Sequence, residues 1–131
     1  MSIEDLTRFK IAVESASDGI VIFDKDGKII YANPAAQRLT GVKWEQAYGK
    51  TLREIPPILT PESTKVIAER IDRRLKAGEA VTNVSAELLR RDGKKIPVSY
   101  SAAGIKSEKG KVIGDIAIMH DITEQKRMEE K

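Results

Sequence analysis

Val112-Ile113-Gly114-Asp115-Ile116-Ala117-Ile118-Met119-His120-Asp121-Ile122-Thr123-Glu124 is the stretch on which the fold turns. From Val112 to His120 it reads as a strand, with Ala117 and Met119 on one side and Ile116, Ile118 and His120 on the other. Both sides carry apolar groups, which predicts a central strand covered on both faces. Asp121 is placed to accept a hydrogen bond from the backbone N–H of Thr123 or Glu124, and Glu124 to reach back as in a capping box. The strand therefore runs directly into a helix, and movement of one should tilt or twist the other. Only about two helical turns follow, too few for independent stability. The expectation is a module from a longer signalling chain, with residues 124–131 the start of its output helix.

Working outward, Gly19 to Asp24 repeats the two-sided pattern: Val21 and Phe23 share one face, Ile20 and Ile22 the other. Asp26-Gly27 supplies a hairpin turn, and Lys28 to Ala32 returns. Asn33-Pro34 opens a short helix by capping and by proline at its first position, and Gly41 suits its left-handed end. Trp44 to Ile58 predicts one short helix and one helical turn. Thr60-Pro61 repeats the cap-plus-proline device. The helix behind it carries Ile67, Ile71 and Leu75 on one face and the pairs Glu69–Arg73 and Asp72–Lys76 on another, ending at Gly78. Val81 to Arg91 and Lys95 to Ile105 then form a hairpin around Asp92-Gly93. Pro97 is expected near the start of its strand at an unpaired or bulged position. At the other end, Ile3, Leu6, Phe9, Val13 and Ala16 make one stripe on an N-terminal helix capped by Ser2 with Asp5.

This order of elements predicts an α+β fold, an antiparallel sheet with helices on one face. The division is an N-terminal helix over 1–18, a core over 19–123 and the start of an exiting helix over 124–131. In the middle strands Val84, Ala86 and Leu88, and Val98, Tyr100 and Ala102, face inward opposite mostly polar residues. The concave interior, a candidate pocket for a small apolar ligand, is expected to hold Val21, Phe23, Ile29, Leu39, Leu52, Ile55, Ile67, Ile71, Leu88, Val98, Tyr100 and Met119, with Ala36, Ala86, Ala102 and Ala117 as small neighbours. The second cover of the central strands must come from the N-terminal helix, a partner subunit or both. A dimer interface is expected from Leu6, Phe9 and Val13 with the outer face Ile20, Ile22, Ile116 and Ile118.

The 131 residues suit one domain, with 23 basic and 20 acidic residues well interspersed. That balance gives little steering toward nucleic acid. The absence of cysteine removes disulfides, thiolate metal sites and cysteine photochemistry, and is compatible with a cytoplasmic location. No apolar run approaches the roughly 20 residues of a membrane helix, so no membrane contact is expected from this chain.

Taken together, several segments resemble a PAS domain, the sensor module common in histidine kinases and related regulators. Asp18-Gly19-Ile20-Val21-Ile22-Phe23-Asp24 resembles its first strand. Ile29-Ile30-Tyr31-Ala32-Asn33 with Ala36 and Gly41 resembles the second strand and the helix after it. Arg91-Asp92-Gly93 with Ile96-Pro97-Val98 resembles the fourth-strand hairpin, and Asp121-Ile122-Thr123 the motif that closes many such domains. The resemblance implies five antiparallel strands in the order 2-1-5-4-3. It also implies a signal-relay role for Asp121, Ile122, Thr123 and Glu124.

Haem is disfavoured: alternation turns His120, the single histidine, away from Met119 and the interior, and the long helix, where haem-binding relatives usually place theirs, has none. Flavin is disfavoured too, because Leu52 stands where the light-sensing relatives carry their reactive cysteine. Neither a metal nor another cofactor is expected. Arg90, Arg91, Lys94 and Lys95 read as a solvated hairpin tip. With no phosphate loop, zinc spacing or serine–histidine–aspartate set, no catalytic residue and no enzyme activity is expected. The expected function is a cytoplasmic sensory and dimerisation module, a homodimer with an output domain in the same chain, most naturally a histidine kinase. The alternative is a ligand-free dimerisation scaffold with a filled core.

Overall fold

The computed structural model describes residues 2–70, 74 and 79–130. Five strands, β1 (Gly19–Asp24), β2 (Ile29–Ala32), β3 (Val81–Leu89), β4 (Lys95–Lys106) and β5 (Val112–Asp121), form one antiparallel sheet in the order β2-β1-β5-β4-β3. The helices are α1 (Ile3–Ser15), α2 (Pro34–Thr40), α3 (Trp44–Ala47), α4 (Pro61–Arg70) and α5 (Thr123–Glu129). Ile71, Asp72, Arg73, Leu75, Lys76 and Gly78, part of the long helix expected from the sequence, lie outside the described residues.

β5 sits in the middle, paired to β1 through Ile20–Ile118 and Ile22–Ile116 and to β4 through Tyr100–Met119 and Ala102–Ala117. Its inner residues Ala117 and Met119 are buried, with Val21, Val84, Leu88, Val98 and Tyr100, as alternation predicts. α1 starts at the expected Ser2–Asp5 capping box. It buries none of its residues and so does not supply the second cover: Leu6 and Phe9 are 54% and 63% exposed. The outer isoleucines Ile20, Ile22, Ile116 and Ile118 are left half-buried.

Two strand details depart from expectation. Pro97 is near the start of β4, but it is neither unpaired nor bulged: it lies in regular register opposite Glu87. Glu87 turns its N–H to Ser63 Oγ (2.7 Å) and its C=O to the Thr60 N–H (3.1 Å), away from β4. The Glu87–Pro97 pair is therefore a non-hydrogen-bonded one, and proline removes no bond between these strands. The register shift comes instead between Val81 and Val84, where Asn83 adopts a positive φ of 54°. Its side chain accepts from Ser99 Oγ and its N–H donates to Ser101 Oγ, both at 3.1 Å. Such local bonds let asparagine hold a left-handed backbone within a bulge.

α2 begins at Asn33 and ends at Gly41, whose φ of 74° is the left-handed conformation expected there. Asn33 is fully buried and does far more than cap. Its Oδ1 accepts from the N–H groups of Ile20 and Ala36, both at 2.9 Å, and its Nδ2 donates to the carbonyls of Val13 (3.0 Å) and Asp18 (2.9 Å). That is the full hydrogen-bonding capacity of an asparagine amide.

Candidate functional site

Two features occupy the expected places: a cavity under the sheet, and the junction from β5 into α5. The cavity holds about 60 Å³, and its lining includes Val21, Phe23, Ile29, Leu52, Ile55, Ile67, Tyr100 and Met119. It adjoins an open cleft of about 370 Å³ that shares Phe23, Leu52, Ile67, Tyr100 and Ala117 and has Asp26, Arg53 and Asp115 among its lining. Leu52 stands at this mouth and is 40% exposed, not interior.

Three other expected pocket residues do not line the cavity. Leu88 and Val98 are completely buried without reaching the cavity, and the 58–60 segment pairs along the edge of β3 away from β4. Leu59 bridges to Leu88, and the Leu89 N–H donates to the Ile58 carbonyl at 2.9 Å. Leu39 packs against the core from the side of α2 that faces Gly19, while Ala36 and Thr40, four residues apart, face the cavity. Ile71 lies outside the described residues. Sequence reading missed Ala32, Gln37, Thr40, Val42, Ala47, Ile58 and Leu59 as lining residues. The spacing of Ala36 and Thr40 along α2 was a usable signal for Thr40. The irregular 42–59 stretch, though it yielded Leu52 and Ile55, offered none for Val42, Ala47, Ile58 and Leu59.

The cavity is almost wholly apolar. Gln37 and Thr40 face it but turn their polar groups to the chain. The Gln37 amide donates to the Ala32 carbonyl (3.2 Å) and accepts from the Trp44 N–H (3.1 Å). The Thr40 hydroxyl donates to the Ala36 carbonyl (2.8 Å) and accepts from the Val42 N–H (3.2 Å). A flavin ring needs several free amide or hydroxyl partners and a pocket of hundreds of cubic ångströms. Gln37 and Thr40, on the cavity wall, already commit theirs to the backbone.

At the junction Asp121 Oδ1 accepts from both the Thr123 N–H (2.9 Å) and the Thr123 hydroxyl (2.5 Å). The Ile122 N–H donates to the Pro97 carbonyl (3.0 Å), so the turn is also pinned to β4. The expected return bond from Glu124 is absent, and its carboxylate pairs with Arg127 at 3.3 Å. The reason is register: α5 starts with Ile122 as cap, which puts Glu124 one position too early for a capping box. His120 stands on the outer face, turned from the cavity. At the hairpin tip Arg90 pairs with Asp92 (3.3 Å) and Arg91 with Gln46 (2.9 Å), a self-satisfied surface. Among the described residues no helix is long and apolar enough to cross a membrane.

The comparisons agree with this geometry. The family described as the PAS fold matches residues 13–127. The sensor histidine kinase TmoS of Ectopseudomonas mendocina is 30% identical over 125 residues, covering 94% of this chain and 12% of that protein. The chain thus spans only a small part of this relative's length. Among solved structures, a PAS domain of a protein from Colwellia psychrerythraea superposes with a TM-score of 0.78 at 25% identity, covering 92% of this chain and 98% of that one. A light-oxygen-voltage domain studied with a flavin analogue reaches 0.72 at 22% identity, covering 100% and 98%, a likeness of fold alone. The chain belongs to the PAS family, the sensory modules found in histidine kinases and related signalling proteins.

Proposed function

We propose that this chain is the cytoplasmic sensory and dimerisation module of a multidomain protein, a histidine kinase, whose core (19–123) biases an output domain through the helix that begins at 124. The observation that carries the reading is the two-bond grip of Asp121 on Thr123 at the end of the central strand. A shift of β5 against its neighbours then becomes a tilt of α5. Such a switch requires a ligand or partner that binds the two packings with different affinity. Substituting Asp121→Ala in the full-length protein is expected to alter basal output; unchanged signalling would reduce the turn to a plain cap.

The apolar lining suits a small hydrophobic molecule that enters from the cleft, through the mouth at Leu52. Haem and flavin are not part of this reading. A second reading is favoured by the cavity's size: about 60 Å³ is far below the roughly 300 Å³ at which ligand pockets begin, so the core can serve as a filled scaffold in which only dimer geometry matters. Native mass spectrometry followed by solvent extraction separates the two, since a released small molecule supports the first and bare protein the second.

For the dimer, the support is the exposed α1 stripe together with the half-buried outer isoleucines. A second copy of the chain would cover both. Phe9→Asp is expected to give monomer by sedimentation; an unchanged dimeric mass would reject this interface. The domain has no proposed catalytic role.

A further inference from the structure

We propose that α1 is a second input to the output helix, coupled to it by a hydrogen-bond chain from Val13 through Asn33, Asp18 and His120 to Gln125 that bypasses the inner cavity. The inference rests on the reading of α5 as the output element.

Because α1 buries no residue, its direction depends on what holds its C-terminal end. One buried amide does so: Asn33 Nδ2 donates to the Val13 carbonyl in the last turn of α1 and to the Asp18 carbonyl just beyond it. From Asp18 the connection passes to the other end of the chain. Its carboxylate Oδ1 lies 2.8 Å from His120 Nδ1 at the end of β5. The other ring nitrogen, Nε2, lies 3.2 Å from Gln125 Nε2 on the first turn of α5.

The roles of these atoms follow from chemistry. A carboxylate only accepts, so His120 Nδ1 carries the hydrogen. In the neutral ring Nε2 is then the acceptor and takes a hydrogen from the Gln125 amide. Asp18 thereby selects the tautomer that can hold Gln125. Replacing Asp18 by a residue that cannot accept frees the ring to change tautomer or turn away.

The placement gives α5 two grips. Asp121 holds Thr123, and His120 holds Gln125, two positions further on. A helix held at one point can swivel about it, whereas a second point on the same turn sets its rotation. Both grips sit at the end of β5 and report the strand; the second adds Asp18 and thus α1. The His120 and Asp18 side chains are 49% and 39% exposed, so their link adds little to stability. Variants at these positions should fold.

The chain has no cysteine, so spin labels at Lys10→Cys on α1 and Lys126→Cys on α5 can report the helix-to-helix distance by pulsed electron resonance. Diluting labelled into unlabelled protein restricts the signal to pairs within one chain. A single-peaked distribution is expected in the parent. Loss of the single peak is expected in His120→Ala and in Asp18→Ala, with the melting temperature within about 4 °C of the parent. Asp18→Asn keeps a carbonyl acceptor for Nδ1–H and should retain the parent distribution. An unchanged distribution in His120→Ala overturns the proposal, as does equal broadening by Asp18→Asn and Asp18→Ala. If Asp121→Ala leaves signalling untouched, the output reading of α5 fails while the measured coupling stands, so the two failures are distinguishable.

Discussion

The two strand-to-helix junctions use the same device with opposite consequences. At the β2–α2 junction Asn33 caps the helix from a position with no solvent exposure, and its amide is bonded to four backbone groups from three parts of the chain. At the β5–α5 junction Asp121 also accepts from a residue of the following first turn, but it is exposed and both its bonds go to Thr123. The first is a clamp: losing it strands buried donors and acceptors. The second holds a helix with no buried residue through exposed bonds alone, which can be exchanged for water at little cost. One chemistry thus fastens the fold at one end and leaves it adjustable at the other, and burial makes the difference.

The largest expected effect lies at the clamp. Asn33→Ala should cost about 3 kcal/mol or more, since the Ile20 and Ala36 N–H groups and the Val13 and Asp18 carbonyls all lose a partner. Urea denaturation measures it, and a cost no greater than that of Asp121→Ala would break the contrast. Next comes the strand that feeds the adjustable junction. A Cβ at Gly114 would run into the Phe23 carbonyl on β1, a backbone atom that cannot yield alone. Gly114→Ala should cost about 2 kcal/mol, read in the same assay, and a neutral result would mean that the central pair is more pliable than its register suggests.

At Asp121, alanine should cost only about 1 kcal/mol. Hydrogen exchange should place the loss in residues 123–129 and leave β1 protected. Asp121→Asn keeps the accepting oxygen and should lie close to wild type. The smallest effect concerns Tyr31, whose hydroxyl is buried without a hydrogen-bond partner among the described residues. Burial, and then the charge of Glu14 on α1, push this phenol above its ordinary value. A raised value in the folded state means that the associated stability is present below the usual tyrosine range, about pH 10, and is lost as pH rises beyond it. Alkaline denaturation should show a slight decline that Tyr31→Phe removes. An identical pH profile in both proteins would indicate that the hydroxyl is not held in its buried position.

Much of this architecture was legible in the chain. Val21 and Phe23 against Ile20 and Ile22, and Ala117 and Met119 against Ile116 and Ile118, announced two central strands, because side-chain direction alternates with every residue whatever lies nearby. Asn33-Pro34, Gly41 and Ser2 with Asp5 marked helix ends through bonds that span only a few residues. The candidate site was half legible. Strand residues of the cavity could be read from alternation, whereas Val42, Ile58 and Leu59 come from a segment with no period to read.

What local pattern settled was which way each strand faces, where most helices begin and end, and the order of elements. What came only from packing was every role that depends on a distant neighbour. Leu88 gains Leu59 as a bridge partner at the edge of β3, Pro97 is tolerated because Ser63 and Thr60 hold Glu87, and Asn33 joins Val13 to Asp18, which joins His120. A residue's spacing to the next few positions is written in the chain, but whether a side chain is buried, and against what, is decided when remote segments close over it.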